Sequence, residues 1–134
     1  MAIDYGTKRI GLAVTDPMKI IAQPLTTVHS QEIMAYLKDY LLKEPVETFL
    51  IGEPKHLDGT PSGPKEALAN FVKSLQRTFP EIPVVRMDER FTSKMAQQAM
   101  IEGGASRKQR RDKNNLDTIS AVIMLQDFLN QQNR

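Results

Sequence analysis

Five carboxylates stand where chemistry tends to gather. Asp4 closes a short apolar run at the N-terminus. Glu53 follows Gly52 after the apolar run Thr48–Ile51, Asp88 and Glu89 close Val84–Met87, and Asp117 lies in the first turn expected of a long apolar helix. If the apolar runs are strands of one open sheet, their carboxyl ends share an edge, and that edge is where such folds place their sites. Carboxylates brought together repel, and a divalent cation relieves the repulsion. An all-oxygen ligand set suits Mg²⁺ or Mn²⁺, which bridge protein carboxylates to phosphates. Two such ions can clamp the attacking and leaving oxygens of a phosphodiester while bound water attacks, so no Ser, Cys or His nucleophile is required. Each acid also has a plain structural role: Asp after a strand favours turns, and Asp in the first turn of a helix suits the macrodipole. Their joint occurrence at strand ends is what favours a site.

The cations are placed to match. Arg107, Lys108, Arg110, Arg111 and Lys113, with Asp112 as the one acid among them, give a net +4 just before Asp117. Contacts from such a run hold nucleic-acid phosphates without reading sequence. Lys8 and Arg9 follow the tight turn at Gly6, where exposed backbone N–H groups suit a phosphate. Arg90 adjoins Glu89 and is placed either to face a scissile phosphate or to pair with Asp88. Lys55, His56 and Lys65 flank the loop before the second helix and are further candidates for substrate contact. His29 is expected to be structural, and Tyr5 to pack rather than stack on a base.

Elements that would position these groups follow from periodicity. Met1–Asp4 and Ile10–Val14 read as a hairpin around Tyr5-Gly6-Thr7-Lys8, Asp16-Pro17 as a second turn, and Pro24–Val28 as a third strand. Ile33, Leu37 and Leu41 repeat at helical spacing until Pro45. Thr48–Ile51 is a buried strand, Lys55–Gly63 a loop, and Pro64 the first residue of a helix striped by Leu68, Phe71, Val72, Leu75 and Phe79. After the strand Val84–Met87, Thr92 opens a helix that Gly103 ends. The basic loop follows, with Asn114 as a cap for the helix Leu116–Leu129. Strands joined by tight turns are antiparallel, and strands joined through helices are parallel. The expected fold is α/β: a mixed five-stranded sheet, three strands antiparallel and two parallel, with helices on both faces.

Composition sets the class. The 134 residues, 40% hydrophobic and 25% charged, suit one globular domain spanning 1–134 and exclude a disordered or fibrous chain. With no cysteine there is no disulfide framework and no thiolate metal site. No apolar stretch is long enough to span a membrane, and no secretory signal is visible, so a cytoplasmic location is expected. The net charge of +2 averages two regions: the basic run carries +4, and the rest of the chain −2.

Four blocks together resemble the YqgF (RuvX) family, described as Holliday-junction resolvases of the ribonuclease-H-like superfamily. They are Ala2-Ile3-Asp4-Tyr5-Gly6-Thr7-Lys8-Arg9-Ile10-Gly11-Leu12-Ala13-Val14-Thr15-Asp16; Ile51-Gly52-Glu53-Pro54 with Asp58-Gly59-Thr60; Asp88-Glu89-Arg90-Phe91-Thr92-Ser93; and Leu116-Asp117-Thr118-Ile119-Ser120-Ala121. They occur in the family's order and spacing. Glu53 departs from the family's usual Leu, and only three residues, Met1, Ala2 and Ile3, stand before the first block's Asp4-Tyr5-Gly6 turn.

The resemblance implies a ribonuclease-H-like fold and a metal-dependent nuclease in which Asp4, Glu89 and Asp117 are the catalytic carboxylates and hold two Mg²⁺ or Mn²⁺ ions. Lys8, Arg9, Arg90, Arg107, Lys108, Arg110 and Arg111 would then hold the substrate, a structured RNA or a branched DNA. Family members are linked to processing the 5′ end of the pre-16S rRNA in ribosome biogenesis, which brings ribosome-assembly factors into view as partners. Junction resolution, non-catalytic nucleic-acid binding and a nucleotide-binding ATPase-like domain are the competing readings.

Overall fold

A computed structural model describes residues 1–6, 8–53, 65–88 and 113–132. Its strands are β1 (Ala2–Asp4), β2 (Arg9–Thr15), β3 (Ala22–His29), β4 (Phe49–Glu53) and β5 (Val84–Asp88). Its helices are α1 (Ile33–Lys43), α2 (Lys65–Thr78) and α3 (Lys113–Gln132). One five-stranded sheet runs in the order β3-β2-β1-β4-β5. β1 is antiparallel to β2 and parallel to β4, β3 is antiparallel to β2, and β5 is parallel to β4. This is the expected mixed α/β sheet.

Alternation along the strands separates two apolar layers. Ile3, Ile10, Leu12, Phe49 and Ile51 pack with Ile33 and Leu37 of α1 and with Leu68, Phe71, Val72 and Leu75 of α2. Burying each large aliphatic side chain of this layer is worth about 1.5–3 kcal/mol. On the opposite face Ala2, Ala13, Ala22 and Leu50 pack with Ala121, Met124 and Leu125 of α3. Three alanines on that face let a helix lie close to the sheet, because close packing there leaves little volume for side chains. Pro24 falls on β3, an edge strand, where a missing N–H costs no ladder bond on the open side.

The hairpin between β2 and β3 is built on Asp16. Its carboxylate accepts from the amides of Ile20 and Ile21, both at 2.8 Å, and of Met18 at 3.2 Å. These bonds hold the Asp16 carboxyl below its ordinary range and stabilise a turn in which Lys19 takes a left-handed φ of 58°. Lys19 pairs with Glu47 across the foot of the sheet.

Three expectations need correction. The strands extend beyond the runs read from periodicity, because ladder pairing recruits Arg9, Thr15, Ala22 and His29. The last helix begins at Lys113 rather than Leu116, so Lys113 is helical, Asn114 lies inside the helix rather than capping it, and Asp117 sits in the second turn. The buried stripe of that helix is Ser120, Ala121, Met124, Leu125 and Leu129. The loop Lys55–Gly63 and the helix opened by Thr92 lie outside the described residues.

Candidate active site

The carboxyl ends of β1, β4 and β5 point the same way, and the start of α3 stands over that edge. Register defines the site. Asp4 pairs with Gly11, and Gly11 pairs with Thr27, so the three form one row across β1, β2 and β3. Directly paired residues share a face. The hydroxyl of Thr27 meets that of Thr118, in the second turn of α3, at 2.7 Å. Asp4, two residues beyond Ala2, therefore lies on the α3 face, and the half-buried Asp4 is set toward the turn that carries Asp117.

On the parallel side, Gly52 pairs with Met87, which packs in the α3 layer. Glu53 and Asp88 pair one step further on at the ends of β4 and β5. Glu89 follows immediately in the chain and lies outside the described residues, as do Arg90, Arg107, Lys108, Arg110, Arg111, Lys55 and His56.

The turn from β1 to β2 is shaped by Gly6. A Cβ at this position would sit 2.5 Å from the carbonyl oxygen of Arg9, closer than atoms tolerate, so the turn as built requires glycine. Tyr5 stacks on Phe71 of α2 with ring centroids 4.9 Å apart, which confirms its packing role and ties the turn to the opposite layer. Lys8 is exposed and Arg9 half-buried. Arg9 pairs with His29, and the Ser30 amide donates to the Lys8 carbonyl at 3.0 Å, so Lys8, Arg9 and His29 sit together at the same edge as Asp4.

Two fasteners that sequence reasoning missed hold α3 in place. At its upper end is the Thr27–Thr118 contact. Lower down, the Gln126 side chain accepts from the Ala22 amide at 2.9 Å and donates to the Ile20 carbonyl at 3.1 Å. A lone Gln on a helix carries no signal of such a clamp. Its reach depends on how near the helix lies to β3.

At the far pole, Met1, Val14, Asp16, Tyr40, Val46 and Phe128 help to line a cavity of about 430 Å³. The Met1 amine donates to the Thr48 carbonyl at 2.8 Å, and burial lowers its pKa to about 6 against a weaker opposing pull from Glu47. Neither Asp4 nor the turn of α3 that carries Asp117 lines that cavity. Among the described residues no helix is long and apolar enough to cross a membrane.

Comparison with known proteins agrees with the blocks. The family model described as "RuvX: Holliday junction resolvase" matches residues 1–131. A Christiangramia forsetii protein named "Putative pre-16S rRNA nuclease" is 54% identical over 129 residues, covering 96% of both chains. Proteins of the same name from Flavobacterium johnsoniae and Porphyromonas gingivalis are 52% and 46% identical, covering 98% and 100% of this chain and 96% and 97% of theirs. With nearly the whole chain matched by the model and by these relatives, the protein belongs to the RuvX family, of the ribonuclease-H-like kind.

Proposed function

We propose that this chain is a divalent-metal-dependent nuclease that cleaves the 5′ end of pre-16S rRNA. The observation that carries the reading is the row Asp4–Gly11–Thr27 joined to Thr118, which brings the strand bearing Asp4 and the helix turn bearing Asp117 to one edge of the sheet. Glu89 comes two residues after Met87, a residue of the same α3 layer, which supports it as the third carboxylate. Asp4, Glu89 and Asp117 would give an all-oxygen donor set suited to Mg²⁺ or Mn²⁺. Metal held there would supply an activated water and charge stabilisation for the leaving oxygen.

The chain's own groups do the rest. Lys8 and Arg9, at the edge beside Asp4, meet phosphate oxygens and hold the strand across the carboxylates. Arg90, adjacent to Glu89 in the sequence, would serve the scissile phosphate. Arg107, Lys108, Arg110 and Arg111, which precede α3 in the sequence, would add further phosphate contacts. Their charge offsets the repulsion that an acidic centre exerts on a polyanion.

The names of the relatives favour RNA, and the description of the family favours a junction. Symmetric cleavage of a four-way junction needs two sites related by a two-fold axis. The deciding experiment incubates the protein with Mg²⁺ or Mn²⁺ and either a pre-16S rRNA 5′ leader or a four-way DNA junction, beside Asp4→Asn. Cleavage of the RNA by the unaltered protein alone supports the proposal. Equal cleavage by both proteins refutes the metal-site assignment, and cleavage of the junction alone redirects the substrate.

A further inference from the structure

His29 was expected to be a structural residue, yet it is exposed at the edge that carries the candidate site. It ends β3 directly opposite Arg9. Thr27, two residues earlier on the same strand, touches α3, so alternation puts His29 and Arg9 on the α3 face with Asp4. The His29–Arg9 pair lies one repeat beyond the Asp4–Gly11–Thr27 row, about 6.6 Å along the strands. That is on the scale of one step between neighbouring phosphates of a single strand. The Gln31 amide donates to His29 Nδ1 at 3.1 Å. With Nδ1 accepting, the proton of the neutral ring resides on Nε2. The loop after β3 thus pre-sets His29 as a directional N–H donor beside a guanidinium.

We propose that His29 and Arg9 form a phosphate subsite that grips the substrate backbone one nucleotide from the scissile position, with His29 acting as a neutral hydrogen-bond donor and Arg9 as the cation. The ligand is a phosphodiester of RNA or DNA, and the contact carries no sequence information. The inference rests on the nuclease reading, because the row containing Asp4 supplies the origin from which the subsite is measured. A neutral donor and a cation leave different signatures. Losing a cation lowers the salt dependence of binding, whereas losing a neutral donor lowers affinity at every salt concentration by the same factor.

The test measures equilibrium binding of a structured RNA and of a four-way DNA junction to the Asp4→Asn protein across a salt series. His29→Ala is expected to weaken binding about three- to tenfold with an unchanged salt slope. Arg9→Ala is expected to weaken it and to reduce the slope by about one, and His29→Lys to restore affinity and raise the slope by about one. The RNA and DNA arms identify which backbone is held. Affinity of His29→Ala within twofold of its parent on both probes overturns the subsite. A slope lowered by about one in His29→Ala overturns the neutral-donor assignment. If His29→Ala binds normally while cleavage still depends on Asp4, only the subsite fails. A protein that neither binds nor cleaves either probe removes both the subsite and the nuclease reading.

Discussion

Thr27 and Thr118 meet hydroxyl to hydroxyl at 2.7 Å across 91 positions of sequence. The contact joins an edge strand to the second turn of α3, and through the register of β2 it aligns that turn with Asp4. Thr118→Val and Thr27→Val should each cost about 0.5–1.5 kcal/mol in denaturant unfolding. The double variant should cost less than the two together, because they share one interaction. Additive losses would show that the hydroxyls stabilise the fold separately.

Gly6→Ala should destabilise the protein more than a surface substitution does. The added Cβ meets the Arg9 carbonyl, which is backbone and yields only if the turn moves. Overpacking of this kind costs about 1–3 kcal/mol. Because the turn joins Asp4 to Arg9, nuclease activity at a temperature where the variant stays folded should fall as well. Calorimetry and a cleavage assay on one sample separate the two effects.

Asp16 offers a pH test with a fixed sign. Its carboxyl is held below its ordinary value of 3.8, chiefly by the Ile21 and Ile20 amides. The stabilisation is therefore complete above that value and is lost as pH falls through the lowered one. Asp16→Ala should melt at a lower temperature at pH 7, and the gap should narrow as the pH is taken below 3.8. A gap that stays constant would mean that the turn depends on something other than the ionised carboxylate.

The Met1 amine has the same sign in a higher pH window. Folding lowers its pKa from 8.0 to about 6. Between those values the unfolded chain holds more protons, so stability should fall as pH drops from 8 to 6, by about 2 kcal/mol. Guanidinium titrations at the two pH values measure the difference. Acetylating the amine removes the titrating group and should remove that part of the dependence.

Much of this fold was legible in local chemistry. Asp16-Pro17 announced a turn that three amides then built on Asp16. Ile33 and Leu37 marked the buried face of α1, and Thr48–Ile51 marked a strand buried on both sides. The carboxylates at strand ends were legible for the same reason, since a strand's end is visible where its apolar run stops. What stayed hidden is set by contacts between distant segments. The start of α3 at Lys113 could not be read, because Lys113, Asn114 and Asn115 continue a polar run. Those residues become helical in a segment fastened to the sheet further along, by Thr118 and Gln126. The alanine face at Ala2, Ala13 and Ala22 carries no periodic signal, as alanine suits either environment. His29 looked structural because one histidine beside a turn has no meaning until its register partner is known.

The long reach of α3 also sets a timetable. β1, β2 and β3 are joined by short turns, so this meander can form while later segments are still being synthesised. Its alanine face stays uncovered until α3 arrives, since Gln126 reaches back 104 positions to Ala22 and Thr118 reaches back 91 to Thr27. Asp117 comes in with that helix. A nascent chain therefore carries Asp4 without Asp117 until α3 has been made, and the proposed centre, which needs both, is not assembled before then.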